Sequence, residues 1–269
     1  MKAMLLSAGL GTRLQPWTLT TPKPAIHFLG VPLAFYGLTL IQDLPITDLV
    51  VNVHHLADQV EDLFKDRPTK KWNIQISDER QQLLGSGGGI HHAKRFLQNE
   101  KDFLVMNSDE VFLPHDPQLM KDFLNFHQSS KALATLLVMQ HPEVGTKFGG
   151  VWCSSDGQVK EFNKKQPDPS LKGWHFLGIM LLNQKVFQFF KDQVVEENIL
   201  YDTLTLALRQ GYEVQVYPAE GLWFETGNIP DFQAATEACK KIQKSEINIP
   251  EAQYLRQVQW EWGTVEKSV

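Results

Sequence analysis

Four short segments of this chain carry residue types suited to phosphate chemistry. The first is Ala8-Gly9-Leu10-Gly11-Thr12-Arg13-Leu14-Gln15-Pro16, continuing to Thr21-Pro22-Lys23-Pro24. Two glycines at spacing two let backbone N–H groups approach a ligand closely, and consecutive N–H groups form an anion nest. Arg13 adds a forked donor matched to phosphate oxygens, and Lys23 a compact point charge. The prolines beside Lys23 stiffen its backbone and restrict where the ammonium can go. Other phosphate loops fit worse: no third glycine stands at the dinucleotide spacing, and no Gly-Lys-Ser/Thr is present.

The second segment is Leu84-Gly85-Ser86-Gly87-Gly88-Gly89-Ile90, directly before an amphipathic stretch, where a flat ligand could rest on bare backbone. The third is Val105-Met106-Asn107-Ser108-Asp109. It ends an apolar run in a carboxylate, at the place where open α/β sheets bind ligands. Near phosphates such a group suits Mg²⁺, which often takes one or two carboxylates plus substrate oxygens. A turn cap is the plainer role for the same Asp. The fourth, Trp223-Phe224-Glu225-Thr226-Gly227-Asn228, reads as a strand ending in a second acid just before a helix. His54-His55 and His91-His92 are adjacent pairs and do not make a zinc clamp, and no Gly-x-Ser-x-Gly or Cys-x-x-Cys supports a covalent nucleophile.

The elements that must hold these segments follow from periodicity. Ala3–Ser7, Leu49–Val53, Trp72–Ser77 and Phe103–Met106 are strand-length apolar or β-rich runs. Leu33–Gln42, Leu56–Lys65, Ile90–Leu97 and Asp116–His127 place apolar residues at helical spacing between and after them, and Leu133–Met139 reads as a further strand. This alternation predicts an α/β fold, a Rossmann-like, mostly parallel sheet flanked by helices. After about residue 145, Phe148–Cys153, Gln158–Phe162 and Trp174–Leu182 read as an antiparallel insertion. Helices are expected at Val186–Phe190 and Ile199–Arg209, and a strand at Glu213–Tyr217. The division expected is a catalytic domain over 1–238 and a C-terminal extension, 239–269, docked through Trp260 and Trp262.

Composition narrows the class. The 269 residues are 42% hydrophobic and 21% charged, an ordinary globular balance. The net charge of −5 argues against a general nucleic-acid binder. Two cysteines, Cys153 and Cys239, cannot build a disulfide framework or a four-ligand zinc site. The N-terminus lacks a signal-peptide pattern and no run suits a membrane span, so a cytoplasmic location is expected. Oligomeric state is left open.

Together the four segments resemble the sugar-1-phosphate nucleotidyltransferases, over roughly 1–238. The likeness is closest to short muramic-acid-1-phosphate uridylyltransferase and mannose-1-phosphate guanylyltransferase members. It implies NTP and sugar-1-phosphate as substrates, Mg²⁺ as cofactor, and release of pyrophosphate. It assigns Arg13 and Lys23 as catalytic residues, with Leu6, Ala8, Gly9, Gly11, Thr12, Arg13, Gly85, Ser86, Gly87 and Gly88 on the nucleotide. Lys23, Asn107, Gly149, Lys165 and Gly178 are implied at the sugar phosphate, and Asp109 and Glu225 at the metal. It also implies no acetyltransferase domain after the catalytic one.

Three positions depart from the family pattern. Glu225 stands where Asp is usual, Lys164-Lys165-Gln166 where Glu-Lys-Pro is usual, and Ser7 where Ala is usual. Two other classes share features. A phosphocholine-type cytidylyltransferase would want a cage, for which Trp152 and Trp174 are candidates. A catalytically silent sugar-nucleotide sensor is suggested by Glu225 and Lys164.

Overall fold

The computed structural model describes residues 1–65, 71–244 and 249–263. The chain opens with β1 (Lys2–Leu6), followed by a two-strand hairpin of β2 (His27–Phe28) and β3 (Val31–Pro32). Then come α1 (Ala34–Ile41), β4 (Asp48–Val53), α2 (Ala57–Lys65), β5 (Asn73–Asp78), α3 (Gly85–His92), α4 (Lys94–Leu97) and β6 (Asp102–Asn107). β1 pairs in parallel with both β4 and β6, and β4 with β5. The strand order therefore reverses at β1, which leaves a crevice beyond the strands' carboxyl ends.

Alternation along these strands feeds two cores. Ala3, Leu5, Leu49, Val51, Leu104 and Met106 face one layer. Met4, Val50, Phe103 and Val105 face the other. Burial of each such Val or Leu contributes about 1.5–3 kcal/mol, and it fixes which strand ends meet.

The later half supplies β7 (Val111–Pro114), α5 (Leu119–Ser129), β8 (Ala134–Met139), β9 (Gly150–Cys153), β10 (Val159–Asn163) and β11 (Lys172–Asn183). β11 is antiparallel to β6, β8 and β9, and β10 is antiparallel to β9. This is the expected antiparallel insertion, grown onto the edge of the nine-stranded sheet. A π-helical turn (Ile199–Leu204) leads into α6 (Thr205–Arg209), and β12 (Val214–Pro218) pairs in parallel with β8. β13 (Gly221–Phe224), the strand expected before Glu225, pairs with β7 as a separate antiparallel ribbon. Val186–Phe190, expected as a helix, forms a 3₁₀ turn over Gln184–Gln188.

The chain then forms α7 (Ile229–Lys244) and α8 (Pro250–Trp262). α7 runs unbroken through residue 238, so the expected extension begins inside a helix. In α8, Trp262 is buried and its Nε1 donates to Thr39 Oγ1 at 2.9 Å. Trp260 is 86% exposed, so one indole docks and the other does not.

Candidate nucleotide-binding site

A cavity of about 400 Å³ lies over the carboxyl ends of β1, β4 and β6. The loop after β1 forms its floor. Gly11 has φ +62°, a left-handed turn that glycine adopts without strain, and Thr18 Oγ1 donates to its carbonyl at 3.0 Å. Leu14 anchors the loop in the core, while the Arg13 side chain remains 68% exposed. Nothing lies within 4 Å of where a Cβ on Gly9 would stand, so its backbone faces open space.

Lys23 sits on a 3₁₀ turn with Pro22 before it and buried Pro24 after it, the stiff placement expected. Its ammonium is ion-paired with Asp109. Asp109 follows β6, and its carbonyl accepts a hydrogen bond from Thr226 Oγ1 at 2.8 Å. That bond ties the Asp109 segment to the one carrying Glu225. The Glu225 carboxylate accepts from the Gly227 amide at 2.6 Å and lies 4.0 Å from Arg13 Nη1. A Cβ on Gly227 would stand 2.2 Å from Glu225 Oε1 and 2.6 Å from Arg13 Nη2, so only glycine permits this approach.

Of the expected nucleotide residues, Leu6, Ala8, Gly9, Gly11, Thr12, Arg13, Gly85 and Ser86 line the cavity. Gly87 and Gly88 do not line it. They lie in the first turn of α3 and pack beneath the 195–198 segment, with the Gly87 amide donating to the Glu197 carbonyl at 2.7 Å. The helix expected at Ile90–Leu97 starts five residues earlier, because tertiary packing overrides the low helix propensity of glycine, and it breaks only at Ala93 before α4 carries it to Leu97.

On the sugar side, Lys23 and Asn107 line the cavity, whereas Gly149, Lys165 and Gly178 lie outside it. A Cβ on Gly149 would meet the Tyr201 hydroxyl at 2.6 Å. Lys165 is exposed, with its amide on Asn163 Oδ1. Gly178, at φ +69°, makes room for Glu110 and Asn107.

Sequence reasoning missed Glu110. It accepts from Asn107 Nδ2 at 3.0 Å and from Trp223 Nε1 at 2.9 Å. Burial and the neighbouring Asp109 charge push its carboxyl up to about 7. Its only sequence signal is adjacency to Asp109, since Trp223 is more than a hundred residues away. Trp223 also joins an aromatic group with Phe148, His141 and His175. Burial holds His175 down at about 4, so it is neutral at pH 7.

The cage suggested for a cationic alcohol does not form. Trp152 is buried beneath Gly150 and Gly173 with its Nε1 on the Asn163 carbonyl, and Trp174 is covered by the Lys172 ammonium, 4.1 Å from its ring. Both indoles are taken up by the chain's own groups.

Whether the acids suit a metal depends on their donors. No group of three or more His, Cys, Asp or Glu able to hold a metal occurs among the described residues. Asp109 lines the cavity and is 29% exposed, whereas Glu225 does not line it: it faces a neighbouring pocket with Lys147 and Trp223, keeping one oxygen beyond its bond to Gly227. Asp109, a hard oxygen donor beside the phosphate loop, fits Mg²⁺, which often takes one or two carboxylates and completes its shell with phosphate oxygens and water.

Fold and cleft define a Rossmann-like α/β protein with cationic groups and a carboxylate at a sheet switch point. Residues 2–242 match the family model described as Nucleotidyl transferase, and the chain belongs to that family. Among curated relatives, UTP–glucose-1-phosphate uridylyltransferase of Synechocystis sp. is 26% identical over 93% of this chain and 66% of its own length. N-acetylmuramate alpha-1-phosphate uridylyltransferase of Caulobacter vibrioides is 30% identical, covering 88% of this chain and 95% of its own. Mannose-1-phosphate guanylyltransferase 1 of Arabidopsis thaliana is 30% identical over 86% and 63%. The chain thus spans just under two thirds of the first and third relatives. A solved UDP-glucose pyrophosphorylase bound to UDP-glucose superposes with a TM-score of 0.75 at 20% identity, covering 89% of this chain and 98% of that one. No described helix is long and apolar enough to cross a membrane.

Proposed function

We propose that this chain condenses a nucleoside triphosphate with a sugar-1-phosphate, giving a nucleotide sugar and pyrophosphate. The observation that carries the reading is the convergence of the open Gly9–Arg13 loop, Lys23 and Asp109 on one cavity. The phosphate of the sugar attacks the α-phosphorus and pyrophosphate leaves in line, so no protein nucleophile is required. Both reactants are anions, and the work of the residues is to hold them and neutralise charge.

In this reading the loop amides cradle the triphosphate, and Arg13 reaches the leaving pyrophosphate from its exposed position. Lys23 leaves Asp109 for the reacting phosphates once they arrive. Asp109 and Glu225 would hold Mg²⁺, which supplies charge neutralisation at the phosphoryl oxygens. Asn107 attends the sugar phosphate, and Gly85 and Ser86 the nucleoside end.

For substrates, we favour UTP with a muramic-acid-type sugar-1-phosphate. This rests on the likeness to the Caulobacter uridylyltransferase, whose length this chain nearly matches. GTP with mannose-1-phosphate is the second reading, supported by the guanylyltransferase relatives. The test is pyrophosphate release from four NTPs against a panel of sugar-1-phosphates, with and without Mg²⁺. One Mg²⁺-dependent pair should dominate. Absence of pyrophosphate with every pair, while nucleotide still binds, would favour the silent sensor.

A further inference from the structure

Three buried polar residues at the nucleoside end of the cavity have no role in the scheme above. The Ser7 amide donates to Asn52 Oδ1 at 2.6 Å, and Asn52 Nδ2 donates to Glu79 Oε1 at 2.8 Å. The chain of bonds runs from the end of β1, across the end of β4, to the residue after β5. Glu79 is 3% exposed and pinned at its backbone: its amide donates to the Val53 carbonyl at 2.8 Å, and its carbonyl faces His54 Nδ1 at 2.6 Å.

Helix α3 closes over this pair. A Cβ on Gly89 would stand 2.8 Å from Glu79 Oε1 and 2.9 Å from Asn52 Nδ2. The third glycine of the run therefore makes room for an amide and a carboxylate. A buried carboxylate is costly unless it is hydrogen-bonded, and Glu79 meets that need through Asn52.

The consequence falls on Asn52, which lines the cavity beside Ser7, Gly85 and Ser86. The Ser7 amide can only donate, so it holds the Asn52 carbonyl oxygen on its own side and leaves the NH₂ for Glu79. This settles the amide orientation and leaves one N–H and one lone pair uncommitted. It also occupies the Ser7 amide, which is then not a donor for a base.

We propose that Asn52 contacts the nucleoside portion of the bound triphosphate and that Glu79 is its positioning residue. The inference rests on the nucleotide reading above and adds to it two residues that the sequence motifs did not assign. Nothing in it involves the triphosphate end, and this separates it from a general structural role.

The test compares binding of UTP, GTP and inorganic tripolyphosphate, with Mg²⁺ present, by calorimetry, and follows the melting temperature of each variant. Asn52→Ala should weaken the better-bound nucleotide about tenfold and leave tripolyphosphate unchanged, the loss expected for a hydrogen bond or two. Glu79→Leu should show the same pattern, and Glu79→Gln, which keeps an acceptor for Asn52, should bind within about twofold of wild type. Equal losses of nucleotide and tripolyphosphate would make the three residues a strut for the phosphate loop and overturn the proposal. So would unchanged nucleotide binding by Asn52→Ala. Should Glu79→Leu not fold, Asn52→Ala and Glu79→Gln decide alone. A wild-type chain that binds neither UTP nor GTP overturns the nucleotide reading, and this inference with it.

Discussion

The chain contains two glycine-rich segments that look alike in sequence and are opposite in space. Gly9 in the first has nothing within 4 Å of a Cβ position and faces the cavity. Gly87, Gly88 and Gly89 in the second are buried, and a Cβ on each would run into protein atoms at 3.0 Å or closer. Gly9 lacks a side chain so that a ligand can approach its backbone; Gly87 and Gly88 lack one so that other backbone can. Glycine content alone does not distinguish these cases. What surrounds the missing Cβ does, and the two segments should therefore fail in different ways when altered.

The largest effect should come from the cations of the open segment. Arg13→Ala and Lys23→Ala should each lower turnover about a thousandfold, the scale seen when a preorganised charge-stabilising donor is removed. The melting temperature should barely move for Arg13→Ala, because that side chain is largely exposed. Pyrophosphate-release assays beside thermal melts give both readings. Near-normal turnover in both variants would remove the open loop from the chemistry.

For the packed segment the order inverts. A Cβ on Gly88 would stand 2.1 Å from the Val195 carbonyl oxygen, and backbone cannot yield as a side chain does. Gly88→Ala should destabilise the fold by about 3 kcal/mol, the upper range for overpacking. At about 2–4 °C per kcal/mol for a chain of this size, the melt should fall by roughly 6–12 °C. An unchanged melt would mean that the 195–198 segment moves freely, and the comparison would lose its packed half.

These two segments also mark what could be read beforehand. The βαβ alternation was legible because Met4 and Leu5, or Val50 and Val51, already divide between the sheet's two faces. The phosphate loop was legible because its parts lie within sixteen residues of one another. The packed glycines were not, since their reason lies at Val195–Asn198 and Glu79. Glu110 was missed for the same cause: its partner Trp223 arrives only when β7 pairs with β13. Trp152 stood as a candidate cage wall because nothing local shows that Gly145, Gly150 and Gly173 stack against it.

A smaller effect is expected at Glu225, where the open loop meets the second acid. Its carboxylate is held by the Gly227 amide and stands near Arg13. Glu225→Asp keeps the charge but shortens the reach by one methylene, so the bond to Gly227 must be re-formed by local backbone movement. Turnover should fall about tenfold, with the Mg²⁺ requirement rising, whereas Glu225→Ala should fall further. The measurement is a magnesium titration of the three proteins at saturating substrates. If Glu225→Ala matched wild type at every concentration, Asp109 with the substrate oxygens would suffice for the metal.

The smallest effect sharpens the comparison most. Gly9 does not have a positive φ, and its Cβ position is empty, so Gly9→Ala introduces neither strain nor a clash. Alanine there also reduces the freedom of the unfolded chain, so stability should stay level or rise by up to about 1 kcal/mol. Yet the new methyl projects where loop amides must reach a phosphate, and a contact lengthened by a few tenths of an ångström weakens a charge-assisted hydrogen bond. Nucleotide affinity should fall about fivefold, close to 1 kcal/mol. Calorimetry and a melt on the same preparation read both quantities. Gly9→Ala should then be a stable, weak binder, the reverse of Gly88→Ala, whose folded fraction should still bind. A Gly9→Ala protein that melted early with unimpaired affinity would show that the open segment is packed after all, and the two segments would no longer differ in kind.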